Sequence, residues 1–314
     1  MPDIALSRRS FFAMAATAVA APRFSAAQQT PTFSTEIKVV NVFATVRDKQ
    51  GQMVRDLDKQ DFEIREDGKP QTIRYFSRDS DLPLTIALLV DSSLSQGRVL
   101  DDELSASYRF LNSVLRERED KGAVVQFDQA VVIRQNLTSS HKDLKDVLTL
   151  VDLPNMKMPG AGGGTLLYNA VRQASVQLMR MQQGRKAFIV LTDGNDFGSN
   201  VTLEDAIESA QRAATLVYCI LFSDESYYGG FGGAGGKGVL QKLARESGGG
   251  FFAVTKEQGI DAIFKTIEDE LRSEYSIGFV SDQPLTHSGF RTLKLINKRK
   301  GLIVQATDRY YAET

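Results

Sequence analysis

Residues 88–97 read LLVDSSLSQG, and the fold turns on how that stretch is taken. The run Ile86 to Val90 before the aspartate is continuously apolar and of strand length, the mark of a strand covered on both faces. Asp91, Ser93 and Ser95 follow at alternate positions, where the strand opens into a loop. In open α/β sheets, the loops leaving the carboxyl ends of strands hold the ligands. One carboxylate and two hydroxyls, with no imidazole or thiolate, suit a hard divalent cation such as Mg²⁺. The stretch predicts a metal site on top of a parallel sheet.

D-x-S-x-S is a weak signal by itself, and two later segments strengthen it. GAGGGTLLYNAV (160–171) sets Thr165 behind a glycine-rich loop and at the head of a helical pattern through Leu167, Val171, Ala174 and Leu178. KAFIVLTDGND (186–196) repeats the opening architecture, an apolar run Ala187 to Leu191 and then Thr192, Asp193 and Gly194. This order resembles the von Willebrand factor A domain. The resemblance implies a complete metal-ion-dependent adhesion site made of Asp91, Ser93, Ser95, Thr165 and Asp193. It also implies a resident divalent cation, Mg²⁺ or else Mn²⁺ or Ca²⁺. Asp196, three residues after Asp193, reads as a loop or helix-cap carboxylate and not as a sixth ligand.

The block 82–272 alternates strand and helix. Apolar strands are expected at 84–90, 122–127, 186–191, 215–222 and 250–254, with a short antiparallel edge at 130–134. Helical stripes run through Leu104, Tyr108, Leu111 and Leu115, through Ala206, Ile207, Ala210 and Ala214, and through Ile260, Ile263, Ile267 and Leu271. Such alternation predicts an α/β, doubly wound, mostly parallel sheet of Rossmann-like type. The flanks, 28–81 and 273–314, read instead as short β segments. Val40, Val42, Ala44 and Val46 alternate, as do Phe62 and Ile64, with turns at Gln50-Gly51 and Asp67-Gly68. Tyr275, Ile277 and Phe279 alternate after the block, then Leu293 and Leu295, then Leu302 and Val304. Neither flank is long enough to bury a core alone. One β-sandwich-like domain built from both, with the A-type domain inserted, is the expected solution. VRDKQGQMVRDLDKQDFEIREDGKPQ (46–71) and EYSIGF (274–279) resemble the bacterial secreted "VWFA-related" family.

Residues 1–27 stand apart. Arg8 and Arg9 in SRRSFF, the apolar stretch Phe11 to Ala21, Pro22 and the small residues Ser25-Ala26-Ala27 read as a cleavable twin-arginine signal peptide. The mature chain is then expected to be periplasmic or secreted, with no membrane span. A net charge of −1 offers no footprint for nucleic acid or an anionic membrane surface. Cys219 is the only cysteine, so no internal disulfide can form, and its apolar neighbours mark it as a core residue.

Catalytic signatures are sparse. The two histidines, His141 and His287, have no zinc-binding spacing, and no G-x-S-x-G elbow occurs. Neither Ser93 nor Ser95 has a base nearby in sequence. GGFGGAGGKG (229–238) is not a phosphate loop: Phe231 stands where the first glycine belongs, and Gly238 replaces the metal-binding hydroxyl. The tract reads either as a solvent loop or, with Tyr227, Tyr228 and Phe231, as a contact loop beside the metal face. The expected protein is not an enzyme but an exported, cation-dependent binding module that captures an acidic residue of a partner protein. The alternatives are a metal-assisted hydrolase and a structural component of a cell-envelope assembly.

Overall fold

The alternating flanks resolve into two antiparallel sheets, each drawing strands from both ends of the sequence. The computed structural model describes residues 39–78, 82–97, 99–153, 164–222, 233–283 and 288–312. The signal-like residues 1–27, the aromatic residues 227, 228 and 231, and His287 lie outside the described residues. The first flank forms β1 (Val39–Arg47), β2 (Phe62–Glu66), β3 (Lys69–Gln71) and β4 (Ile73–Ser77).

The inserted block begins with β5 (Leu84–Asp91), α1 (Leu100–Val114), β6 (Lys121–Phe127), β7 (Val131–Thr138), α2 (His141–Leu148) and α3 (Leu167–Ala174). It continues through β8 (Arg185–Thr192), α4 (Leu203–Arg212), β9 (Leu216–Leu221), α5 (Gly233–Ser247), β10 (Phe251–Ala253) and α6 (Ile260–Arg272). The second flank gives β11 (Tyr275–Val280), β12 (Gly289–Asn297), β13 (Ile303–Ala306) and β14 (Arg309–Ala312).

The six-stranded central sheet has the order β10-β9-β8-β5-β6-β7, parallel except for the β6–β7 pair. The chain enters at β5, builds outward through β6 on one side, then returns to place β8 on the other. That reversal leaves a crevice at the carboxyl ends of β5 and β8. Both strands are buried along their whole length, which explains their unbroken apolar runs. Helices α1, α2 and α6 cover one face of the sheet, and α3, α4 and α5 the other.

The flanking strands form sheets of order β13-β1-β11-β4 and β14-β12-β2-β3. Val42, Val46, Leu57, Phe62, Ile64, Ile73, Tyr275, Ile277, Phe279 and Leu293 make a core to which both flanks contribute. The Tyr275 hydroxyl donates to the Val54 carbonyl at 2.7 Å and accepts from the Leu57 amide at 3.1 Å, tying a loop of the first flank to the second. The end of α6 is tied both to the host and to the rest of the insert. Arg47 of β1 pairs with the buried Glu270, Arg185 donates to the Leu271 carbonyl, and Arg272 reaches the Val114 carbonyl and Asp120.

Three sequence expectations need correction. The edge strand β7 runs to Thr138, beyond the expected 130–134. The tract 229–238 is not loop throughout, since α5 begins at Gly233. Glycine favours no helix, but Leu240, Leu243 and Ala244 bury one face of α5 against the sheet and hold the turn in place. Finally, the inner face of α1 is rotated from the expected stripe. Leu100, Glu103, Ala106, Ser107, Phe110, Leu111 and Val114 are buried, whereas Leu104 and Tyr108 only border the core.

Candidate metal centre

Asp91 is the last residue of β5 and is fully buried. Its Oδ1 accepts the Ser93 amide at 2.9 Å, and its Oδ2 accepts the Thr192 hydroxyl at 2.6 Å. Thr192 closes β8, the neighbouring parallel strand, so the hydrogen bond joins the two strand ends across the crevice. Ser93 and Ser95 bracket the start of a single 3₁₀ turn, Leu94–Gln96, which brings their hydroxyls within 3.0 Å of each other. Ser95 Oγ then donates to Asp193 Oδ2 at 2.7 Å. Asp193 Oδ1 accepts the Asn195 amide at 2.9 Å, and Gly194 turns the chain with φ of +83°. Ser93, Ser95 and Asp193 thus form one hydrogen-bonded chain beside Asp91.

Thr165 reaches the same loop by a different route. Its amide and carbonyl exchange hydrogen bonds with Phe197 at 3.1 and 2.9 Å, an isolated antiparallel bridge to the segment that follows Asp193. Thr165 is buried, while the Phe197 ring is 60% exposed. No hydrogen bond joins the Thr165 hydroxyl to the other four side chains among the described residues. Asp196 serves as a cap: its Oδ1 accepts the Tyr168 amide at 3.0 Å, in the first turn of α3, and the Ser199 hydroxyl at 2.7 Å.

A further network holds the loops in register. Ser92 Oγ donates to Asp128 Oδ2 at 2.9 Å and accepts from Gln126 Nε2 at 2.7 Å. Gln126 Oε1 takes Arg134 Nε at 2.7 Å, and the Asp128 carbonyl takes the Leu166 amide at 2.9 Å. The β5 loop, the β6–β7 turn and the Thr165 segment are therefore one connected unit. Sequence reasoning did not single out Gln126, Asp128 or Ser92 for this role. It also missed Glu103, whose visible signal was an acidic residue one helical turn from Ser107 on a face otherwise apolar.

Electrostatics single out the same place. Burial, above all, pushes the Asp91 carboxyl up to about 7, against the hydrogen bonds from Ser93 and Thr192, and the charge on Asp193 adds to the rise. Burial also lifts Glu103 well above the usual carboxylate range, helped by repulsion from Asp91 and Asp193. Both Glu103 oxygens and Gln96 Oε1 are buried without a hydrogen-bond partner, and no ion pair reaches Asp91 or Glu103 among the described residues. Buried acceptors in excess of donors are what a cation and its water satisfy. The oxygen-only donor set fits Mg²⁺, Mn²⁺ or Ca²⁺. Among the described residues no three His, Cys, Asp or Glu side chains form a metal cluster of their own, so a cation here would draw on the serine and threonine hydroxyls as well.

The chain is similar to several solved structures. A von Willebrand factor type A structure from Catenulispora acidiphila is 12% identical, covers 81% of this chain and 73% of its own, and has a TM-score of 0.50. The conserved hypothetical protein BatB from Bacteroides thetaiotaomicron is 19% identical over 60% of this chain and 97% of its own, with a TM-score of 0.44. Proximal thread matrix protein 1 from the mussel byssus, solved with a zinc-occupied MIDAS motif, is 17% identical over 67% and 50%, with a TM-score of 0.48. No curated protein matches the sequence. Residues 85–266, more than half of the chain, match the von Willebrand factor type A domain, and the chain belongs to that family.

Proposed function

We propose that this protein is an exported, divalent-cation-dependent binding module, with Asp91, Ser93, Ser95, Thr165 and Asp193 holding the cation that captures an acidic residue of a partner protein. Domains of this family are typically interaction modules. The observation that carries the reading is the pairing of Asp91 and Asp193, from adjacent strand ends, through the Ser93–Ser95 hydroxyl chain. Two carboxylates balance a 2+ charge, and the hydroxyls add neutral oxygen donors without adding charge. When bound, the cation supplies a positive centre with an exchangeable coordination position, which a partner carboxylate can occupy. Thr192 orients Asp91 by its hydrogen bond to Oδ2, and the Asn195 amide orients Asp193. The exposed Phe197 ring stands at the rim, where an aromatic side chain favours protein contact.

Export rests on the sequence of residues 1–27. Among the described residues no helix is long and apolar enough to cross a membrane. Calorimetry with Mg²⁺ and Mn²⁺, followed by a pull-down from envelope extract with and without EDTA, tests the reading. One-to-one cation binding lost in Asp91→Ala and in Asp193→Ala, with the fold intact, is expected. Undiminished binding in both variants would refute the site.

A further inference from the structure

Glu103 lies on the inner face of α1, among Leu100, Ala106 and Phe110, with no exposed surface. An acidic residue in the first turn of a helix ordinarily serves the helix, by capping its free amides or answering its dipole. Here the N-terminus of α1 has no side-chain cap, and both Glu103 oxygens lack any hydrogen-bond partner. Ser107, one turn further along the same face, is buried and unpartnered as well. An apolar residue at 103 would pack against the same neighbours without burying a charge. The charges that act on Glu103 are Asp91 and Asp193, both of its own sign. Among the described residues nothing answers this carboxylate.

We propose that Glu103 is a positioning residue of the cation site, its carboxylate accepting hydrogen bonds from the cation's hydration shell. The inference rests on the cation reading given above. Asp91, Asp193 and Glu103 do not close into a direct three-carboxylate cluster, which is why Glu103 acts through water. Mg²⁺ and related hard cations keep several waters when protein-bound, and a buried acceptor beyond the inner shell fixes them. Glu103 gives the site a third negative charge, held on the helix that follows the D-x-S-x-S loop, so cation binding also orders the start of α1.

Titrating Mn²⁺ into the full chain, with free Mn²⁺ followed by electron paramagnetic resonance, tests the assignment in wild type, Glu103→Gln and Glu103→Leu. Loss of a group that holds a metal's ligands or waters in place lowers metal affinity by about 10-fold to 100-fold. Glu103→Gln is expected at the lower end of that range, since the amide oxygen still accepts hydrogen bonds, and Glu103→Leu at the upper end. Both variants should melt at or above the wild-type temperature without metal, and should gain less on adding Mn²⁺. A purely structural Glu103 would change the melting temperature and leave the Mn²⁺ affinity alone. Wild-type affinity within twofold in both variants overturns the role of Glu103 while leaving the site itself standing. No Mn²⁺ binding by the wild type overturns the site and this inference together.

Discussion

Gly236 lies flat against the backbone of Asp193: a Cβ at 236 would stand 2.2 Å from the Asp193 carbonyl oxygen. The contact is mutual, because a Cβ on Gly194 would stand 2.5 Å from the Gly236 carbonyl oxygen. The first turns of α5 thus hold the Asp193 loop from behind, and only glycine allows the two backbones to meet.

Gly236→Ala should therefore push the Asp193 loop away from Ser95. We expect a loss of about 1–3 kcal/mol in stability, the usual cost of overpacking, together with weaker Mn²⁺ binding. Gly235→Ala is the control, since a Cβ there meets nothing within 4 Å. It should stabilise the helix by about 0.4–1 kcal/mol and leave the cation affinity unchanged. Thermal melts and Mn²⁺ titrations on both variants check the pair.

Glu274, between α6 and β11, makes stability depend on pH. Burial pushes its carboxyl up to about 8, and the Arg185 charge offsets only part of that. The unfolded chain gives up this proton near 4.5 and the folded chain near 8, so the folded state holds the extra proton between those values. The group's contribution is full below about 4.5, declines as pH rises to about 8, and is level beyond. Urea unfolding at pH 5 and pH 9 should show the wild type losing stability across that window. Glu274→Gln should lose less.

Asp120 behaves in the opposite sense. Burial works against its charge, but hydrogen bonds from the Arg116 and Arg272 guanidiniums and from the Arg116 and Leu84 amides bring it down to about 2. Its contribution is present above the unfolded value of 3.8 and is lost as pH falls toward 2. Asp120→Ala takes one carboxylate from Arg116 and Arg272, which keep Glu119 and the Val114 carbonyl, and leaves the first amide of β5 unpaired, which should cost about 1–3 kcal/mol at neutral pH. Chemical denaturation measures it. The cation affinity, set at the other end of β5, should not move.

Export has its own test. Arg8→Lys combined with Arg9→Lys should trap the precursor inside the cell, and N-terminal sequencing of the exported wild type should begin near Gln28. Normal export of the double variant would mean the general secretory route.

The strands of the insert were legible because β5, β8 and β9 are covered on both faces and so carry unbroken apolar runs. The merging of the flanks was legible for a different reason: two short alternating segments with no core of their own must share one. Tertiary packing concealed the rest. The stripe through Leu104, Tyr108, Leu111 and Leu115 looked like the inner face of α1 because Glu103 and Ser107, on the true inner face, are polar. The start of α5 was hidden by its glycines, which pack against the Asp193 loop and carry no helical signal. α2 is eight residues long and announces itself only by the Ser140 cap, whose side chain accepts the Asp143 amide. At the site, the carboxylates and hydroxyls stood out by type. The hydrogen-bonded network through Gln126 and Asp128 depends on strand pairing, which residue order does not reveal.

The interleaved sheets also set a path for mechanical force. Ser77 at the end of β4 pairs with Ser276 at the start of β11, so the insert leaves and rejoins its host through two adjacent strands. A force applied to the insert therefore reaches the host through that pair of neighbours, reinforced by the side contacts Arg47–Glu270 and Arg309–Glu246. Both junctions of the insert lie side by side in one sheet, so slack at either end is felt by the same pair of strands.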